Sequence, residues 1–139
     1  MANQEHLAIL KQGVQVWNQW RMKHADVEHD LREADLSNTN LKRVHLTQAK
    51  LREADLSGAN LKGARLTRVN LYGANLSGAD LSYAKLYGAN LINANLSGAK
   101  LHNTQLSGAY LTGATVTPEQ LGEAGSLRDT IMPDGSKHP

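Results

Sequence analysis

The chain carries six histidines, His6, His24, His29, His45, His102 and His138, and no cysteine. Imidazoles and carboxylates are the groups from which a metal site or an acid–base pair would be built. His24 and His29, with Asp26 and Asp30, form one loose ligand set inside KHADVEHD, residues 23–30. Its spacing matches no metal motif, and the other histidines are scattered. The absence of thiols removes thiolate zinc sites, disulfides and cysteine nucleophiles. No glycine-rich phosphate loop follows a strand pattern. Neither catalysis, a metal nor a cofactor is expected.

Other polar residues recur by rule. Ser37, Ser57, Ser77, Ser97 and Thr117 repeat every twenty positions beside Asp35, Asp55, Asn75 and Asn95. Such hydroxyl and amide ladders are expected to be structural, satisfying neighbouring turns of chain. Lys42, Arg43, His45, Lys62, Arg65, Arg68 and Lys85 form a basic set, with no acidic residue among its outward neighbours until Asp80. It reads either as solvated surface or as a face for an acidic partner. Arg32, Glu33, Lys50, Arg52 and Glu53 mix charges and should pair across turns for little net energy.

What positions these rows is an apolar residue every five. It occupies Leu31, Leu36, Leu41, Leu46, Leu51, Leu56, Leu61, Leu66, Leu71, Leu76, Leu81, Leu86, Leu91, Leu96, Leu101, Leu106, Leu111 and Val116, eighteen units without a gap. On an α-helix a step of five rotates successive side chains by about 140°, which makes no stripe. On a flat strand an odd step alternates faces. A coil that bends once per five residues satisfies the pattern. A small residue, mostly Ala, sits two positions before each Leu, so large and small side chains alternate inward. Residues 31–50 match residues 51–70 at 12 of 20 positions, against 5, 6 and 8 for shifts of 10, 15 and 25. The structural period is therefore twenty: four sides per coil, a solenoid.

The motif A-[DN]-L-[ST]-G, as in ANLSG at 74–78 and 94–98, resembles that of the pentapeptide-repeat proteins, over about 90 residues. The resemblance implies an all-β solenoid, a right-handed quadrilateral β-helix. The flanks, HLAILKQGVQVWNQWR and IMPDGSKHP, resemble the ends of small members common in photosynthetic bacteria. Coils about 4.8 Å apart would stack about four and a half deep. The second residue after each Leu should turn a corner. It is Gly or Asn at eleven corners, which suits the positive φ of a type II turn. Glu33, Arg43, Gln48, Glu53, Arg68 and Tyr83 do not suit it, so the early coils are expected to use more type I turns.

A solenoid exposes its core at both ends. Leu7, Leu10, Val14 and Trp17 share one face of a helix predicted over 4–22, with Asn3 as N-cap and Trp20 adding to the face. That helix reads as a cap over the first coil, or as a partner-binding helix. Residues 1–29 are then a helical cap and connector, 30–117 the β-helix, and 118–139 a C-terminal cap and tail. Thr117 and Pro118 open a short helix carrying Leu121. Leu127 and Ile131 are expected to fold back onto outward Tyr72, Tyr87, Ile92 and Tyr110, and PDG at 133–135 is a turn.

The formal charge is +2, pI about 9.0, Phe is absent and aromatics are 4%. An ordinary globular core cannot be built from so few aromatics, but a uniform Leu/Ala coil can. The N-terminal stretch MANQEHLAILKQGVQVW has no basic-then-apolar signal pattern, and no segment approaches a membrane span, so a cytoplasmic monomer is expected. The leading functional expectation is a non-catalytic interaction module for an unidentified protein. The resemblance implies an alternative, because some pentapeptide-repeat proteins act on DNA gyrase by imitating duplex DNA. A third reading is nucleic-acid or polyanion binding through the basic set. Residues 30–117 hold ten Lys and Arg against six Asp and Glu, +4. A DNA mimic needs the opposite sign.

Overall fold

A computed structural model describes residues 1–139. The elements in chain order are α1 (Gln4–Lys11), α2 (Val14–Lys23), a four-sided coil from Asp30, and α3 (Pro118–Gly122), after which the chain rejoins the coil. Single parallel bridges join each coil to the next: Asp30 to Lys50 to Asn70 to Asn90, and Asp35 to Asp55 to Asn75 to Asn95. Each side is only about three residues long between corners, so it forms one bridge and never a longer strand.

The four sides are called the Asp30, Asp35, Asn40 and His45 faces, after their outward residues in the first coil. Their interior is filled. None of the seventeen leucines from Leu31 to Leu111 exceeds 1% exposure, and the alanines between them are nearly as buried. At about 25 cal/mol per Å² of apolar area removed from water, each Leu contributes roughly 2 kcal/mol. Val116, at the end of the run, is half-buried because no coil lies beneath it. Where the small inward residue is Thr104 or Thr130, its hydroxyl donates to a carbonyl of the coil above, Leu81 at 2.8 Å and Leu106 at 2.6 Å. That bond makes a buried hydroxyl tolerable.

The backbone is held by the ladder. Of 91 backbone hydrogen bonds only 11 lie within helices. In the first coil Leu31 N–H donates to Lys50 C=O at 2.8 Å, Glu33 N–H to Arg52 C=O at 2.9 Å, and Lys50 N–H returns to His29 C=O at 2.8 Å. Across the corner Ala34 N–H donates to Leu31 C=O at 3.2 Å.

The ladder overrules local preference at the corners. The expected type I turns do not occur. Glu33, Arg43, Gln48, Glu53, Arg68 and Tyr83 have φ between 56° and 62°, the conformation of the glycine corners. Each such residue costs roughly 1–2 kcal/mol in the left-handed region. The conformation aims its N–H along the axis, as in Arg43 N–H to Lys62 C=O at 3.0 Å, and an unmet amide there would cost about as much.

Candidate functional site

Coil geometry sorts every outward side chain into a row. His45, Arg65 and Lys85 are successive rungs of one bridge stack, continued by Gln105. Lys42, Arg43 and Lys62 lie on the corner to one side of this His45 face, and Arg68 on the corner to the other. The structure thus brings all seven basic residues named from the sequence onto one face and its two edges. His45 is half-buried and the six Lys and Arg are exposed. The ion pairs of the molecule lie elsewhere: Met1 amine–Glu33, Arg32–Asp30, Lys50–Glu28, Arg52–Glu53 and Lys137–Asp129. None of the six cations has an acidic partner. The expected cross-coil pairing of Arg32, Glu33, Lys50, Arg52 and Glu53 is replaced by pairing within a coil or to the N-terminal segment, because neighbouring side chains on one coil meet first.

Two tyrosines edge the same face and were not grouped with it in the sequence. Tyr83 stands on one corner, half exposed, with Lys62 Nζ 5.9 Å from its ring centroid and His102 edge-on at 5.6 Å. Tyr87 stands on the other. Burial, then Arg65 and Arg21, hold the His45 imidazole below its ordinary pKa.

The Asp35 face differs in kind. Asp35 Oδ1 accepts from Ser37 N–H at 3.1 Å and from its hydroxyl at 2.7 Å. Asp55 with Ser57 and Asn75 with Ser77 repeat this at 2.6–3.0 Å. These bonds close each residue's own turn, so the ladder expected to bridge neighbouring coils is local. The same bond recurs from Asn40 to Lys42, Asn60 to Lys62, Asn70 to Tyr72 and Asn90 to Ile92. It explains the Asp or Asn before so many leucines: the first corner N–H has no ladder partner, and this side-chain oxygen supplies one.

The first coil is covered by helices. The single helix expected over 4–22 is two, broken at Gln12–Gly13, where Gly13 has φ 116°. Leu10 and Trp17 are buried as expected, while Leu7 and Val14 are only half-buried because the break turns them aside. Trp17 Nε1 donates to His45 C=O at 2.8 Å, Arg21 donates to His45 and Thr47 carbonyls, and Asn18 Oδ1 accepts from His45 N–H at 2.9 Å. His29 fills the inward position that Ala takes in other coils, 3% exposed against the Trp17 and Trp20 rings. Its Nε2 has no partner. Burial, then the charges of Arg21, His6 and His24, lower its pKa to about 4.

The His24, Asp26, His29, Asp30 set does not converge. His24 stacks on Trp20 at 4.8 Å, Asp30 is paired with Arg32, and no three His, Asp or Glu side chains are placed to hold a metal ion together. At the far end, α3 is closed by a capping box between Thr117 and Gln120. The tail does not fold back on the Tyr72–Ile92 corner. Ser126 bridges to Gln105 and Ile131 to Tyr110, extending the coil by two sides, and Lys137 returns antiparallel to Ile131. Continuing the ladder satisfies more backbone than lying on a side-chain surface would. Val116, Leu121, Leu127 and Met132 line a hollow of about 490 Å³ there. No helix is long and apolar enough to cross a membrane.

The family model for pentapeptide repeats matches eight copies, over residues 30–68 and 74–113. No curated protein matches the chain in sequence. Among solved structures, the pentapeptide repeat protein Rfr23 from the cyanobacterium Cyanothece 51142 is 37% identical, with TM-score 0.59 over 60% of this chain and 57% of that one. A pentapeptide repeat protein of the Arabidopsis thaliana thylakoid lumen is 30% identical, TM-score 0.35, over 66% and 70% of the two chains. HetL from Nostoc sp. strain PCC 7120 is 34% identical, TM-score 0.28, over 77% and 65%. This chain therefore spans little more than half of Rfr23. The fold of the matched proteins is the right-handed quadrilateral β-helix, and this chain, with its twenty-residue coil and eight matched repeats, belongs to the pentapeptide-repeat family.

Proposed function

We propose that the protein is a non-catalytic interaction module, a rigid prism whose outward rows meet another protein. The observation that carries this reading is the filled interior. Leucines at 0–1% exposure leave no internal cavity along the prism, so its chemical variety lies in side chains held in register on the outside. The hollows lie at the ends, and one near the first coil, about 350 Å³, is lined by Arg21, Asp26, Glu28 and His29, with the Arg21 guanidinium committed to backbone carbonyls. Neither end assembles a nucleophile with a base.

In this reading α1–α2 is a lid over the first coil and α3 with the tail closes the other end, which favours a monomer. Imitation of duplex DNA is disfavoured by the sign of the His45 face. The test is retention of a partner from native lysate by immobilised protein. A protein should be retained in near-stoichiometric amount and lost when outward residues are substituted. Retention of nothing above bare resin would overturn the proposal.

A further inference from the structure

We propose that the His45 face is the docking surface, and that its occupant is an extended acidic segment of a partner protein. The inference rests on the interaction-module reading and names the chemistry of the partner. Arg65 stands at the centre of the face, with Lys85 one coil beyond it, Arg43 and Lys62 on one corner and Arg68 on the other. All are exposed and none is ion-paired. The nearest carboxylate is Asp80, on the adjoining Asn40 face, where Ser82 N–H ties it into its own turn at 3.0 Å and Lys62 and Lys100 act on it. Glu123 and Asp129 lie below the basic coils at the C-terminal end, and Asp129 is taken by Lys137. On the Asp35 face the carboxylates are tied into their own turns by serine. Within the coils the charge left free for a partner is thus positive and concentrated on one side, with Lys100 on the adjoining face.

Size and shape select the occupant. Coils about 4.8 Å apart make the basic part of the face roughly 15–20 Å tall, the length of about five extended residues. With a side about three residues, or about 10 Å, wide, the face covers roughly 150–200 Å², well short of the roughly 800 Å² per partner of an ordinary globular interface. A guanidinium at the centre and on both edges suits carboxylates, which it takes bidentately. A nucleic-acid strand is less well served. Single strands need a groove and successive free aromatic platforms. Here the face is flat, and the Tyr83 ring is already approached by Lys62 and His102. Tyr83 and Tyr87 instead border the site as side rails, in keeping with the enrichment of Tyr and Arg at protein contacts.

The test uses the full chain with a fluorescent deca-glutamate peptide as probe and an oligo-deoxythymidine of similar length as competitor. Two variants remove the same charge, Arg65→Gln/Lys85→Gln on the face and Lys11→Gln/Lys23→Gln away from it. All four residues are exposed and none is ion-paired, so both variants should melt near the wild type. The expected result is salt-sensitive peptide binding, weakened at least about tenfold by the face variant and little by the other, with the oligonucleotide the poorer ligand. Equal losses in the two variants would reduce the effect to net charge. Tighter oligonucleotide binding would make this a nucleic-acid face, and absence of peptide binding at low salt would remove the site. Each of these outcomes overturns the proposal. A lysate partner still retained by the face variant would also overturn it while leaving the interaction module standing. Peptide binding with no lysate partner would support the face chemistry and count against the module.

Discussion

The two ends of the prism face the same problem and solve it with different material. At the start, the first coil's open edge is covered by foreign groups. Indole, guanidinium and carboxamide side chains of α2 bond the His45 rung, and Asn3 N–H and His6 Nδ1 take the Asp30 rung at 2.9 and 3.3 Å. The Asp35 and Asn40 amides of that coil, both exposed, donate to no protein group. At the finish, the chain covers its own edge by adding two further sides and a returning strand. Helical material thus closes an edge through a few heavily used side chains, whereas coil material closes it through many equivalent backbone bonds. Damage should be concentrated at the first end and spread at the second.

The largest effect is expected where one side chain carries most. Trp17 is fully buried, packs on Trp20 and His29, and donates to His45 C=O. Trp17→Ala should cost about 3–5 kcal/mol. Leu121→Ala at the opposite end should cost nearer 2, because Leu121 borders a hollow and keeps some exposure. Urea titrations of both variants measure this. Equal losses would mean that the ends are closed in equivalent ways.

Acid sharpens the contrast. The folded pKa of His29 is about 4, against 6.5 for a free imidazole. The unfolded chain therefore binds more protons between these values, so this contribution is complete above about pH 6.5 and is lost as pH falls toward 4. A shift of that size is worth at most about 3 kcal/mol. His45 is shifted in the same direction. Asp30, lowered to about 2 chiefly by its hydrogen bond with Arg32, acts only below about pH 4, so the windows separate. Stability should fall between pH 6.5 and 4 with amide protection lost first in α1–α2, and His29→Leu should flatten that slope. A slope unchanged in the variant would show that the acid response arises elsewhere.

The middle of the molecule was legible in the sequence; the ends were legible as helical caps, down to Asn3 and Thr117 as N-caps, but not in the contacts they make. The leucine step and the twenty-residue self-match give interior, sides and rows, because each coil repeats one solution. The basic face followed from the same arithmetic. The corners at Glu33 or Arg43 misled, since residue preference argues against a conformation that the ladder demands on both sides. The asparagine rows were visible, but their partner, the next corner N–H, is apparent only once the turn is built. At the ends each contact occurs once. Nothing periodic links Trp17 to His45, or Gln120 to Leu96, and the break at Gly13 interrupts a face that looked continuous.

The smallest effect isolates the second end. Gln120 Nε2 donates to Leu96 C=O at 2.7 Å and Ala99 C=O at 2.9 Å, while its Oε1 accepts from Thr117 N–H at 2.8 Å. The donor end stands in for the coil that α3 displaces, and the acceptor end caps the helix. Gln120→Ala loses both functions, yet the site is partly open to water, so the cost should be about 1–2 kcal/mol. Gln120→Glu separates the two. It keeps the acceptor, and a carboxylate at a helix N-terminus is favourable by about 0.3–1 kcal/mol. It also sets an anion against the Ala99 carbonyl, which loses its donor, and the Leu96 carbonyl, which keeps only the Ala99 N–H. If closing the coil matters more than capping the helix, Gln120→Glu is the less stable of the two variants, and hydrogen exchange should show the loss confined to 96–104 and 117–125. A glutamate variant more stable than the alanine one would assign Gln120 to the helix alone, leaving the ladder at this end closed by backbone groups only.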